Sequence, residues 1–262
     1  VTTVEPRPVG ALLREWRERR RLSQLQLSLD ADISARHLSF VETGRSKPTK
    51  EMILRLSEQL DVPLRERNGL LLAGGYAPAY PNGSLDAPEL AAVLAALRQV
   101  LAGHEPNPAL VVDRHWHLID GNDSAGLFLD GAAAELLAPP VNVLRLSLHP
   151  AGLAPNIVNL GEWRAHVLGR LHRQAAATGD PVLRDLHAEL RDYPCDQPEP
   201  EVELPGAGDV VVPLRFRRGG AELSFFSTTT VFGTPLDVTV AELAIESFFP
   251  ADRSTMDFLR NR

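Results

Sequence analysis

The run LSQLQLSLDADISARHLSFVETGRSKP, residues 22–48, decides how the first third of the chain folds. Ser23 stands where an N-cap belongs, and Gln26 three residues later completes a capping-box pattern. Ser34 caps a second helix that stops near Gly44. Leu27, Ala31, Leu38 and Val41 recur at helical spacing and lock the two helices together, which leaves residues 34–42 on a surface. Asp32 fills the tight turn between them, where a residue that tolerates left-handed backbone is needed. Leu25 and Leu29, one turn apart, are surplus to so small a core and are available to a second domain or a partner subunit; scattered surface leucine is the alternative.

Outward from this pair the pattern stays helical. Upstream, Leu12, Leu13 and Trp16 share one face and arginines fill the other. Downstream, Thr49 caps a helix that buries Ile53, Leu56 and Leu60, and a fifth helix runs from about Pro63 to Ala73 before Gly74-Gly75. The stretch GGYAPAYPNGSLDAP then reads as a hinge, and it divides the chain into residues 1–82 and 83–262. Leu90, Val93, Leu94, Leu97, Val100 and Leu101 trace one face of a helix over 86–103, the natural coupling element between the two parts.

From Ala109 the texture changes. ALVVD and HWHLID are short strand candidates, and helices are expected over 123–137 and 158–191. An acidic, proline-rich loop, DYPCDQPEPEVELPGAGD, follows. Val210, Val212, Leu214 and Phe216 alternate with Val211, Arg215 and Arg217 as in a half-buried strand, and ELSFFSTTTVF is a second. In DVTVAELAIESFF the apolar parity switches between Val240 and Leu243, which fits either a bulge or a helix, with a bulged strand preferred. The expected fold is therefore an all-α helix-turn-helix domain followed by an α+β domain with a mostly antiparallel five-stranded sheet.

Composition bounds the function. Of 262 residues 44% are hydrophobic and 23% charged, ordinary for a globular protein. The single cysteine, Cys195, forms no internal disulfide and fits a reducing compartment. No apolar run approaches the roughly 20 residues of a spanning helix, and the N-terminus does not read as a signal peptide, so a cytoplasmic protein without membrane contact is expected. The net charge of −7 hides an asymmetry. Residues 1–80 hold 13 Lys/Arg against 10 Asp/Glu, a balance of +3, whereas the remainder holds 14 against 24, a balance of −10. Such a split suggests a small module that faces phosphates and a larger one that does not.

Residues 22–48 resemble the Cro/repressor-type helix-turn-helix family in Ser23-Gln24, Ile33-Ser34, Leu38-Ser39 and Glu42-x-Gly44, with Asp32 where that family usually has glycine. The second helix of such a motif enters the major groove of double-stranded DNA N-terminus first. Gln24 at the first helical position can bond a phosphate, as can its backbone amide, and Ser34 begins the helix that faces the DNA. Arg36 can reach guanine with its fork, Ala35 and Phe40 can touch thymine methyls, and His37 or Ser39 can bond a base edge or phosphate. Arg45 and Lys47 suit the flanking backbone. A homodimer on an inverted repeat is expected, because one recognition helix offers few base contacts.

The order strand–strand–helices–long helix–three strands resembles a PAS-like sensor. The phrases ALVVDRHW, PPVNVLRLSLHPAGLAPNIVNLGEWRAH and ELSFFSTTTVFGTPLDVT, with ETGRSKP and NGLLLAGGYAPAY upstream, resemble the MmyB-like transcription regulators of bacteria over residues 9–250. That resemblance implies a DNA-binding module fused to a PAS-like domain that binds a fatty acid or similar small apolar ligand. No other cofactor is expected. Trp116, Leu118, Phe216, Phe225, Phe226 and Phe232 can line a cavity, with Trp163 on the long helix, or they are plain core. Arg145 and His149 share a side in either helix or strand and would suit a carboxylate headgroup; the alternative for Arg145 is a salt bridge within the domain.

Other chemistries have less support. His115-x-His117 places two imidazoles on one strand face, but a third metal ligand at useful spacing is missing from the sequence pattern. No phosphate-binding glycine loop, G-x-S-x-G or catalytic carboxylate pair stands out, so no enzyme is expected. Two further readings stay open: a DNA-binding protein whose acidic second domain recruits a partner without ligand, and a regulator fused to a lipid-processing enzyme.

Overall fold

The computed structural model describes residues 7–85, 87–198 and 212–261, which divide into two compact units. The first runs through Ser84 and includes the short segments 176–179 and 234–241, which a single cut at residue 82 does not provide for; the second takes the rest.

In the first unit, α1 (Val9–Arg19), α2 (Gln24–Asp30), α3 (Ala35–Glu42), α4 (Lys50–Gln59) and α5 (Leu64–Ala73) are the five expected helices. Their starts are set by side-chain caps. Ser23 Oγ accepts from the Gln26 amide at 3.0 Å, Ser34 Oγ from His37 at 3.1 Å and Thr49 Oγ1 from Met52 at 3.2 Å. The capping box is only half made, because the Gln26 side chain turns forward to donate to Asp30. Asp32 takes the left-handed conformation its turn requires, φ +51°. Leu13, Leu27, Leu38, Ile53, Leu56 and Leu60 are completely buried.

One ion pair ties three helices. Arg17 Nε and a terminal nitrogen donate to the two Glu42 oxygens at 2.7 and 2.9 Å, and the Gln24 side-chain nitrogen donates to the same carboxylate at 2.7 Å. The other guanidinium nitrogen donates to the Leu22 carbonyl at 2.8 Å, so α1, the start of α2 and the end of α3 share one buried polar cluster. Gly10 permits this approach, since a Cβ there would lie 2.0 Å from the Val41 carbonyl oxygen.

The later elements are α6 (Ala91–Gly103), β1 (Ala109–Val112), β2 (Leu118–Gly121), α7 (Val143–Leu148), α8 (Leu160–Thr178), α9 (Pro181–Arg191), β3 (Leu214–Arg218), β4 (Ala221–Val231), α10 (Val238–Ala241), β5 (Ala244–Pro250) and α11 (Arg253–Arg260). The strands form one antiparallel sheet in the order β2-β1-β5-β4-β3. Its inner face carries Leu110, Val112, Leu214, Phe216, Leu223 and Phe225 into a core shared with α8 and α9. Its outer face carries Ala109, Val111 and Ile245, which pack with Leu97 and Leu101 of α6.

One expectation is corrected and two helical regions gain detail. Residues 237–249 are not one bulged strand: Asp237 accepts from the Thr239 and Val240 amides to start α10, and β5 follows. The parity switch marks the change from helical to strand period. The helical segments of residues 123–137 are two 3-10 turns, Asp123–Phe128 and Ala134–Leu136. The helical stretch 158–191 is two helices, separated where Gly179 has φ +71° and Asp180 caps the next. Val210, Val211 and most of the acidic loop lie outside the described residues, and β3 begins at Leu214.

Replacing Arg17 with methionine strands the Glu42 carboxylate, whose side chain is 1% exposed. The expected cost is about 3–5 kcal/mol, read by urea denaturation of the full chain.

Candidate DNA-reading surface and ligand cavity

On α3 the side chain of Arg36 is exposed, with Ala35, His37, Ser39 and Phe40 half-buried around it. Phe40 serves as a platform: the Arg36 guanidinium carbon lies 5.4 Å and that of Arg45 5.9 Å from its ring centre. The loop after α3 is held by the Phe40 carbonyl, which accepts from the Arg45 and Ser46 amides at 2.8 and 3.1 Å. Lys47 is exposed and lies over Tyr76 at 5.7 Å. Thus Ser34, Ala35, Arg36, His37, Ser39, Phe40, Arg45 and Lys47 form one helix-and-loop surface. Gln24, at the start of α2, differs from expectation in that its side-chain nitrogen is committed to Glu42.

In the second unit a cavity of about 200 Å³ lies between the inner face of the sheet and the helices. Leu110, Leu118, Leu214 and Phe248 come from the sheet, Leu144 and Leu146 from α7, Trp163 and Val167 from α8, and Phe128 from the 3-10 turn. Phe128 stands edge-on to Phe216, Phe225 and Phe248, with ring centres 5.8, 5.7 and 4.8 Å away.

The polar part of the lining centres on α8. Arg170 donates to both oxygens of Glu246 on β5, at 2.6 and 3.0 Å, and to Thr229 Oγ1 at 2.7 Å. Thr229 in turn donates to Glu246 at 2.8 Å. Arg170 also covers the Trp116 ring at 4.5 Å, while Trp116 Nε1 donates to Gln174 Oε1 at 2.8 Å. His166 stacks on Trp163 at 5.5 Å. Burial, reinforced by the Arg170 and Arg173 cations, holds its imidazole below the usual pKa. Ser147, which accepts from Trp163 Nε1 at 2.9 Å, Ser227 and Asn122 complete the polar lining.

Residues 93–261 match the family of the MmyB-like transcription regulator ligand binding domain, and residues 13–67 match the helix-turn-helix family. The chain belongs to the MmyB-like family. Comparison with curated proteins finds no match. A helix-turn-helix and a ligand-binding domain in one chain make this a ligand-responsive transcription regulator.

Among the cavity residues named from the sequence of this MmyB-like regulator, Trp116, Leu118 and Trp163 line it. Arg145 and His149 do not. Arg145 lies on the side of α7 opposite the lining residues Leu144 and Leu146, where it makes a bidentate pair with Glu189 at 2.6 and 2.7 Å. His149 meets the Tyr193 ring edge-on at 5.0 Å, and Tyr193 donates to Glu189, which with burial pushes its phenol up to about 12. Phe226 also leaves the cavity: it follows the inward Phe225, and strand alternation turns it to the outer face, stacked on Phe249 at 5.4 Å. Phe232 lies on that outer face as well. Phe216 and Phe225 are core behind Phe128 and do not line the cavity.

The sequence reading missed Arg170, His166 and Glu246. A signal existed for two of them, since Trp163, His166, Val167 and Arg170 share one helical face.

The lowered pKa of His166 fixes the sign of a pH effect. Its unfolded imidazole takes a proton near pH 6.5, where the folded one resists, so stability is full above about pH 6.5 and falls as the pH drops. His166→Gln is expected to flatten the fall below about pH 6.5 in thermal melts.

Proposed function

We propose that this regulator reads an inverted-repeat operator as a homodimer through α3 and senses a small apolar molecule, fatty-acid-like in its hydrocarbon part. The observation that carries the ligand reading is a mostly apolar cavity with a few polar groups in its lining. Its volume of about 200 Å³ suits a small hydrocarbon-bearing molecule.

The headgroup meets Arg170 and His166, not Arg145. Because Glu246 already neutralises Arg170, an ionised carboxylate finds no uncompensated cation there. This pairing favours a second reading in which the head is neutral, an alcohol, amide or lactone that bonds Ser147, Ser227 or Asn122.

On the DNA side, Arg36 and Ser39 supply base contacts with His37, Ala35 and Phe40 beside them, while the Gln24 backbone amide, Ser34, Arg45 and Lys47 hold backbone phosphates. Two-fold symmetric half-sites one helical turn, about 34–36 Å, apart accommodate the dimer.

Arg36→Ala is expected to weaken binding to a sequence selected from a random pool by about 1–3 kcal/mol and to relax preference at one base pair. Lys47→Ala should weaken all sequences alike and lower the salt slope by about one. Unchanged affinity and preference in Arg36→Ala defeat the DNA reading. For the ligand, octanoic acid and octanol are to compete with an environment-sensitive apolar dye. Displacement by either, lost in the cavity-filling variant Ala125→Phe, supports the sensor; the stronger competitor identifies the head. No displacement by any chain defeats it.

A further inference from the structure

We propose that Asp113, His115 and His117, in the turn between β1 and β2, bind a divalent transition-metal ion of the zinc class. The sequence pattern offered two imidazoles and no third ligand. The turn itself supplies the third. Asp113 Oδ1 accepts from the His115 and His117 amides, both at 2.8 Å, so the carboxylate folds back over the two residues that carry the rings. Trp116 between them adopts a left-handed backbone, φ +69°, and the imidazole centres stand 6.1 Å apart. One donor atom from each of the three residues lies within 4.8 Å of the others.

The spacing suits a small ion. Asp113 Oδ2 is already 3.0 Å from His117 Nδ1. Zinc bonds of about 2.0–2.2 Å in a tetrahedron set neighbouring donors about 3.3 Å apart, so Asp113 and His117 already have the spacing and the His115 donor, within 4.8 Å of both, has to close in on binding. On binding, the proton that His117 shares with Asp113 moves to its Nε2, and the ion takes its place. His115 is pre-oriented: its Nε2 lies 2.9 Å from Asp180 Oδ2, the carboxylate partner typical of a metal-ligating imidazole. That leaves Nδ1 as the donor. Asp180 is itself fixed, since it caps α9 by accepting from the Val182 amide at 2.9 Å.

The cation in the same turn, Arg114, is drawn towards Asp180 and Glu242, each at 3.4 Å. Two nitrogens and one carboxylate suit zinc, cobalt or nickel, whereas calcium and magnesium require oxygen throughout. A fourth position remains for water. The ion cross-links the turn on either side of Trp116, whose indole lines the cavity, and so stiffens that wall.

The test is a cobalt titration of the full chain, free of tags and stripped with chelator, followed by visible ligand-field absorption and zinc displacement. A tetrahedral-type band that saturates at one equivalent is expected. It should vanish in Asp113→Asn and His117→Gln, weaken about 10–100-fold in affinity for Asp180→Asn, and persist in Cys195→Ser and His172→Gln. Asp113→Asn keeps an oxygen for the two backbone amides, so its metal-free melting temperature should match the parent and separate ligand loss from misfolding. Absence of a band overturns the proposal, as does one that survives Asp113→Asn and His117→Gln or disappears with Cys195→Ser or His172→Gln.

Discussion

Glu246 occupies the central strand of the sheet with its side chain 6% exposed, and the guanidinium of Arg170 compensates its charge from α8. A carboxylate so placed costs several kcal/mol unless it is paired and hydrogen-bonded. Both oxygens are therefore engaged by Arg170, with Thr229 closing the triangle. The pair ties α8 to β5 at Arg170, a bidentate contact that neighbouring Arg164 and Arg173 do not make. Val167 and Trp163, one and two turns earlier on the same face, line the cavity together with Arg170.

The first unit is governed by a similar constraint on a smaller scale. Glu42, at the end of α3, is nearly inaccessible and holds Arg17 of α1 and Gln24 of α2 together. A short helix that presents its outer face to DNA needs its inner face immobilised, and eight residues of α3 offer few apolar anchors beyond Leu38 and Val41. The ion pair supplies the remaining restraint. Phe40 extends it outward by collecting Arg36 and Arg45 on one ring, which orders two long side chains before any phosphate or base is met.

Legibility in the sequence tracked the range of the interactions. The five helices, their serine and threonine caps and the left-handed Asp32 depend on neighbours within a few residues, and each was readable. The α10–β5 junction was not, because its parity switch fits a bulge as well as a helical turn until Asp237 is seen capping the turn. Arg145 and His149 do share a region, but which side faces the cavity depends on Glu189, 44 residues from Arg145. Arg170 and Glu246 lie 76 residues apart and pair across helix and sheet, a relation that no local period encodes. Phe226 was a failure of a rule within reach, since two adjacent strand residues cannot both face one cavity.

A ligand-responsive regulator of this kind requires that occupancy of the cavity change how tightly the chain holds DNA. The most direct measurement is the affinity of the full chain for its selected DNA sequence, taken as purified, after delipidation, and after the extracted molecule is returned. The account predicts an apolar compound in the extract at about one equivalent and a reversible change of roughly 5–150-fold, the range of ordinary coupling energies. An extract without such a compound, or one affinity in all three states, would contradict it.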